Sequence, residues 1–122
     1  GPYILYTIAR INSILKKYQD TCENTENGEI LPPSAEPEKT LMLALSRYSD
    51  VMLTCFEELA QHKICAYIYE LSNALNHFYH ETKIIAEEDK KKQAGYISLV
   101  TLTRNVLMTC INVLGFDAPE RM

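Results

Sequence analysis

Whatever chemistry this chain performs must come from tyrosines and a few polar partners set at helical spacing. Tyr69, Asn76 and Tyr79 fall on one stripe of a helix, where ring faces and an amide could be presented to a ligand. Tyr6 and Arg10 are four apart and lie together on the flank of another helix. A tyrosine on such a flank also serves as an amphipathic packing residue with its hydroxyl in water. Arg10 equally fits a structural ion pair to a neighbouring helix, and Asn76 a solvated amide. His77, His80 and Glu81 sit within one turn, but two histidines three apart without the rest of a known motif make no metal signature. No Ser-His-Asp, Cys-His or phosphate-loop arrangement can be assembled, so neither catalytic residues nor a metal site are expected. Lys90, Lys91 and Lys92 suit a solvated face, or a modest and salt-sensitive touch on an RNA backbone.

Charge and cysteines narrow the classes further. The formal net charge is -4, whereas proteins that hold a duplex through many phosphates are usually basic. RNA binding would therefore have to rest on stacking and base-edge contacts to an unpaired segment. Cys22, Cys55, Cys65 and Cys110 are widely spaced, and those in apolar helical patterns are expected to be buried free thiols, as in a reducing compartment. There is no run of about 18 apolar residues and no leader pattern, so a soluble, cytoplasmic protein without a membrane span or signal peptide is expected.

The elements that hold these groups are helices. At 122 residues the chain makes one domain, and its 47% apolar residues are dispersed at helical spacing with only 4 glycines, which gives an all-α fold of four to five helices. Ile64, Ile68, Leu71, Leu75 and Phe78 recur at steps of three and four and mark an inner helix ending near Glu81. The first helix starts at about Pro2 and turns Ile4, Ile8, Ile11, Leu15 and Tyr18 inward, with Lys16 and Lys17 complementing its C-terminal dipole.

From about Gln19 to Glu36, Asn24, Asn27, Gly28, Pro32, Pro33 and Ser34 break the period, and the role of this long connection stays open. A second helix begins near Pro37, capped by Ser34 or Glu36, with Leu41, Leu45 and Tyr48 as its face. The period slips at Tyr48-Ser49-Asp50 and restarts with Val51, Cys55 and Leu59, as a kink or as a new helix capped by Ser49. Gln61-His62-Lys63 forms a corner into the inner helix. After a linker at 82–89 carrying Ile84, Ile85 and acids, a last helix presents Tyr96, Leu99, Thr103, Val106, Leu107, Cys110 and Leu114, with Gly115 as its C-cap.

Three blocks of this chain resemble the C-terminal anticodon-binding domain of arginyl-tRNA synthetases. Tyr6, Ala9, Arg10, Ile11, Ser13 and Ile14 match a Tyr-x-x-Ala-Arg-Ile-x-Ser-Ile pattern at the start of that domain. The run from Tyr67 to Tyr79, Tyr-Ile-Tyr-Glu-Leu-Ser-x-Ala-x-x-x-Phe-Tyr, is similar to one of its helices. Leu114-Gly115 and the closing Glu120-Arg121-Met122 are similar to its ending. The Asp-Ala-Leu-Arg tetrapeptide that names the domain family does not occur, and Gln61 stands where many synthetases have Pro.

The resemblance implies an anticodon-binding helical bundle of the class I synthetases over 1–122, a monomer that touches no membrane. It implies binding of the anticodon loop of tRNA(Arg) through stacking rings and base-edge contacts. It also implies a pocket for the middle cytosine built from Tyr6, Arg10, Asn76, Tyr79 and Met122, with Tyr69 a weaker match. The His-x-Gly-His and Lys-Met-Ser-Lys motifs of the catalytic domain are absent. The expectation is thus a non-catalytic domain separated from an ATP-dependent arginine-tRNA ligase, the ATP and magnesium belonging to the parent's catalytic domain. The alternative from another class is a helical protein-interaction module without RNA binding, in which the same tyrosines form a partner patch.

Overall fold

The computed structural model describes residues 2–21, 28–58 and 61–117, with the side chains of 55–58, 61 and 115–117 left aside. Five helices follow in order: α1 Pro2–Thr21, α2 Glu36–Ser46, α3 Tyr48–Glu58, α4 Gln61–Glu81 and α5 Lys90–Asp117. No strand occurs among the described residues. The expected all-α bundle is therefore what forms.

Helix α4 is the inner element, packed against all four others. Its five stripe residues, Ile64, Ile68, Leu71, Leu75 and Phe78, are all buried, and Tyr67 and Ala74 widen the stripe. Each such side chain contributes about 1.5–3 kcal/mol by leaving water. Phe78 meets Tyr96 of α5 edge-on, with ring centroids 5.5 Å apart. On α5, Tyr96, Leu99, Thr103, Val106, Leu107 and Cys110 are buried as their spacing predicts. By length and mean hydropathy, 1.5 over its best window, α5 could cross a bilayer, which the sequence reading did not anticipate. In this fold its apolar side is committed to the bundle, and Gln93 is buried with it.

Several boundaries differ from the sequence expectation. On α1 the buried residues are Ile4, Thr7, Ile11, Ile14 and Tyr18, so the face is turned toward Thr7 and Ile14, and Ile8 and Leu15 are only half-buried. Neither Ser34 nor Glu36 caps α2. Ala35 is its N-cap without a side-chain bond, and the buried Glu38 reaches back to accept from the Ser34 N–H at 2.9 Å, which ties the incoming chain to the first turn without capping it. The break before α3 falls at Arg47, so Ser49 lies inside α3 and is no cap. Gln61, His62 and Lys63 form the first turn of α4 and not a corner. Gly115 lies within α5, which continues to Asp117, and so does not end it. Cys65 is exposed, against the expected burial, while Cys110 is buried; neither is in a disulfide, and Cys22 and the Cys55 side chain lie outside the description.

Two connections are held by specific contacts. The acids of the 82–89 linker include a true cap: Asp89 Oδ1 accepts from the N–H groups of Lys91 and Lys92 at 3.0 and 3.2 Å. Gln93 Nε2 donates to the carbonyls of Ile84 and Ile85 at 3.1 and 2.9 Å, fastening the linker onto α5. The second half of the long connection also lies against α5. A Cβ on Gly95 would stand 2.9 Å from the Glu29 carbonyl oxygen, so glycine there is what lets the backbone come so near.

Candidate nucleic-acid interface

Thr7 and Asn76 show how a polar seam is built between α1 and α4. Thr7 sits where the apolar face of α1 would place an aliphatic residue, and it is fully buried. Its hydroxyl accepts from Asn76 Nδ2 at 3.0 Å and donates to the Tyr3 carbonyl at 3.0 Å. Asn76 Nδ2 also donates to the Tyr3 hydroxyl at 3.0 Å. The amide oxygen accepts from Arg10 Nη1 at 2.9 Å. Every polar atom of the Asn76 side chain is thus used inside the protein, as burial demands. The sequence reading placed this amide on the surface for a ligand, or in water. The solvated amide is corrected: Asn76 is buried, and its oxygen holds Arg10.

Arg10 is in turn held between two rings. Its guanidinium carbon lies 4.7 Å from the centroid of Tyr6 and 4.3 Å from that of Tyr79, and Nη2 donates to the Tyr6 hydroxyl. Each cation–π contact is worth about 0.5–1 kcal/mol at an exposed site. Among the described residues no carboxylate pairs with Arg10, so the expected structural ion pair is replaced by a hydrogen bond to an amide. Two N–H groups of the guanidinium have protein partners, which leaves the rest of its planar fork for a ligand.

These groups open onto a hollow of about 640 Å³. Tyr6, Arg10, Ser13 and Lys17 of α1 form one wall, Tyr79 and His80 the end of α4, and residues 82–86 of the linker the other side. Among the described residues, Arg10, Lys17 and Lys83 line it and no acid does. A chain of net charge -4 thus keeps a cationic concavity among its described residues, where a negatively charged ligand is favoured.

Tyr6, Arg10, Asn76 and Tyr79, far apart in sequence, meet in this one place, and Met122 lies outside the described residues. Tyr69 belongs elsewhere, stacked on Tyr3. His77, His80 and Glu81 form no metal-binding cluster with other described residues. Lys17 and Lys83 are site residues that the sequence alone does not single out. Lys17 sits seven residues beyond Arg10, two turns along the same helical face, which was a readable signal; the folding back of the 82–86 linker was not.

The chain matches the family model described as the DALR anticodon binding domain over residues 4–122. Across its whole length it is 50% identical to an arginine–tRNA ligase of Agathobacter rectalis and 46% identical to one of Alkaliphilus oremlandii. It is 35% identical to the arginine–tRNA ligase of Methanosarcina barkeri, again across the whole chain. It spans 21%, 21% and 22% of those relatives' own lengths. The resemblance carried by three short blocks therefore extends over nearly all of the sequence, and the chain belongs to the DALR anticodon-binding domain family of arginyl-tRNA synthetases.

Proposed function

We propose that this domain holds the anticodon loop of tRNA(Arg) and so presents the acceptor end to a catalytic domain elsewhere in the parent chain, where ATP and magnesium act. The observation that carries this reading is Arg10, fixed between the Tyr6 and Tyr79 rings at the edge of a hollow whose described charged residues, Arg10, Lys17 and Lys83, are all cationic. A flipped base stacks on a tyrosine ring for about 1–3 kcal/mol. The unused donors of Arg10 then face its edge. Cytosine offers two adjacent acceptors, O2 and N3, to a planar fork of donors. Uracil places an N–H at the second of these positions, opposite a donor, and is disfavoured. Asn76 sets the angle of the fork, and Met122, outside the described residues, is the further pocket residue that the family resemblance implies. Lys17 and Lys83 supply the nearby positive charge for a phosphate.

One chain binds one loop in this reading, as a monomer in the cytoplasm, where aminoacylation serves translation. A protein-interaction module has less support: besides Tyr6 and Tyr69, the exposed large apolar residues among those described, Leu5, Ile30, Leu43, Leu53, Leu102 and Met108, come from α1, α2, α3, α5 and the connection before α2 and not from one element. Titration of the chain with an arginine anticodon stem-loop and its middle C→U variant tests the proposal. The variant should bind about tenfold or more weakly, from the loss of one paired edge contact. Equal affinity for the two removes the proposed discrimination.

A further inference from the structure

A second pair of tyrosines remains outside the hollow. The rings of Tyr3 and Tyr69 are parallel within 6°, with centroids 6.1 Å apart, and Tyr69 is 47% exposed. Tyr3 is pinned from behind. Its hydroxyl donates to Asn73 Oδ1 at 2.7 Å and accepts from Asn76 Nδ2 at 3.0 Å. Asn76 is the same residue that holds Arg10, so both aromatic sites hang on one amide. Neither Tyr3 nor Tyr69 lines the hollow. The ten residues from Tyr69 to Tyr79, at ~1.5 Å each, set the two sites about 15 Å apart along α4.

A domain of net charge -4 gains little from phosphates outside that hollow, so a second stacked base adds hold on an unpaired strand that charge does not supply. A half-exposed ring backed by a second, immobilised ring is a surface on which a base loses water without disturbing the protein. Tyr67 and Tyr96, by contrast, are 2% and 5% exposed and spend their rings in the core. We propose that Tyr3 and Tyr69 form a second stacking platform, which takes an unpaired base flanking the one held at Tyr6, Arg10 and Tyr79. The inference rests on the anticodon-loop reading and adds a ligand site to it.

The test combines Tyr69→Ala and Tyr69→Phe with arginine anticodon stem-loops, intact or abasic at each nucleotide flanking the middle anticodon base. Tyr69→Ala should bind the intact loop roughly five- to hundredfold more weakly, and Tyr69→Phe within about twofold of wild type, since stacking needs the ring and not the hydroxyl. With one of the two abasic loops, wild type and Tyr69→Ala should bind equally. Unchanged binding of the intact loop by Tyr69→Ala overturns the platform. So does a loss that persists undiminished on both abasic loops, which would trace to a disturbed Tyr3–Asn76–Arg10 chain. Indifference to the middle base with the abasic pattern intact would sink only the pocket reading, and no binding of the intact loop by wild type sinks both.

Discussion

Helix α4 carries tyrosines on two flanks, and they are used in opposite ways. Toward α2, Tyr67 is 2% exposed and its hydroxyl donates to the Ala44 carbonyl at 2.7 Å, where the polar chain ends. Toward α1, the polar chain runs outward from Thr7 through Asn76 to Arg10 and finishes in an open guanidinium between two rings. The same residue type thus closes one seam and leaves the other open. What decides is whether the last donor meets backbone or solvent.

The sharpest way to break the contrast is to delete a ring on each flank. Tyr67→Ala should cost about 3–5 kcal/mol, since it removes a large buried side chain and leaves a cavity against α2. Tyr79→Ala is expected to cost less than half of that, because its ring is only half-buried, and to weaken stem-loop binding about tenfold. Urea unfolding and RNA titration on both variants check this. Comparable stability losses would show that the α1 flank is as much core as the α2 flank.

Asn76→Ala comes next. It strips Arg10 of its anchor and leaves the Thr7 hydroxyl, fully buried, without its donor, at a cost of about 1–3 kcal/mol. RNA affinity should fall with it, although Asn76 itself touches no ligand in this reading, because a freed guanidinium no longer holds one angle. The substitution therefore separates positioning from contact. A variant with lower stability but wild-type discrimination between C and U loops would show that Arg10 orients without Asn76.

The closed flank has a pH signature. Burial pushes the Tyr67 phenol well above its ordinary range, with smaller contributions from Cys110 and Glu70 and an opposing one from Arg47. Tyr48 is shifted the same way by burial. A phenol whose folded value is raised holds its proton more tightly in the native state. Its stabilisation is complete below about pH 10, the unfolded value, and is lost as pH climbs toward the folded one. The loss can reach about 1.4 kcal/mol per pH unit for one group. Tyr67→Phe should therefore be less stable than wild type at pH 8 by about 1 kcal/mol, the hydrogen bond to Ala44, and draw level above pH 10. A constant gap in urea midpoints across that range would contradict the assignment.

The two flanks also differ in how far the sequence reveals them. Ile64, Ile68, Leu71, Leu75 and Phe78 announce the apolar stripe of α4 through period alone, and all five are buried. The meeting of Tyr6, Arg10, Asn76 and Tyr79 was legible only through the family resemblance, because spacing within a helix says nothing about which helices adjoin. The inward turn of Asn76 was not legible at all. It depends on Thr7, a polar residue on a buried face, and only the α1–α4 packing supplies the amide with donors and acceptors on both sides. Helix ends were the least visible. The N-cap of α2 is Ala35 and not the expected Ser34 or Glu36, and α5 runs through Gly115, where propensity alone would stop it.

At the rim of the closed flank, Arg47 and Glu70 form an ion pair between the α2–α3 break and α4. Its place, at the one residue separating two helices, invites the view that it sets the turn. Solvent argues otherwise. The two side chains are 53% and 43% exposed, so water screens the attraction and ordering two long chains offsets much of what is left. The turn has a firmer cause in the backbone: the Arg47 N–H donates to the Ala44 carbonyl at 3.2 Å, and the Val51 N–H to the Arg47 carbonyl at 3.0 Å. Arg47→Ala keeps both bonds. It should change stability by no more than about 0.5 kcal/mol, an effect that vanishes in 1 M salt. A salt-insensitive loss of several times that size would make the side chain, and not the helix ends, the hinge between α2 and α3.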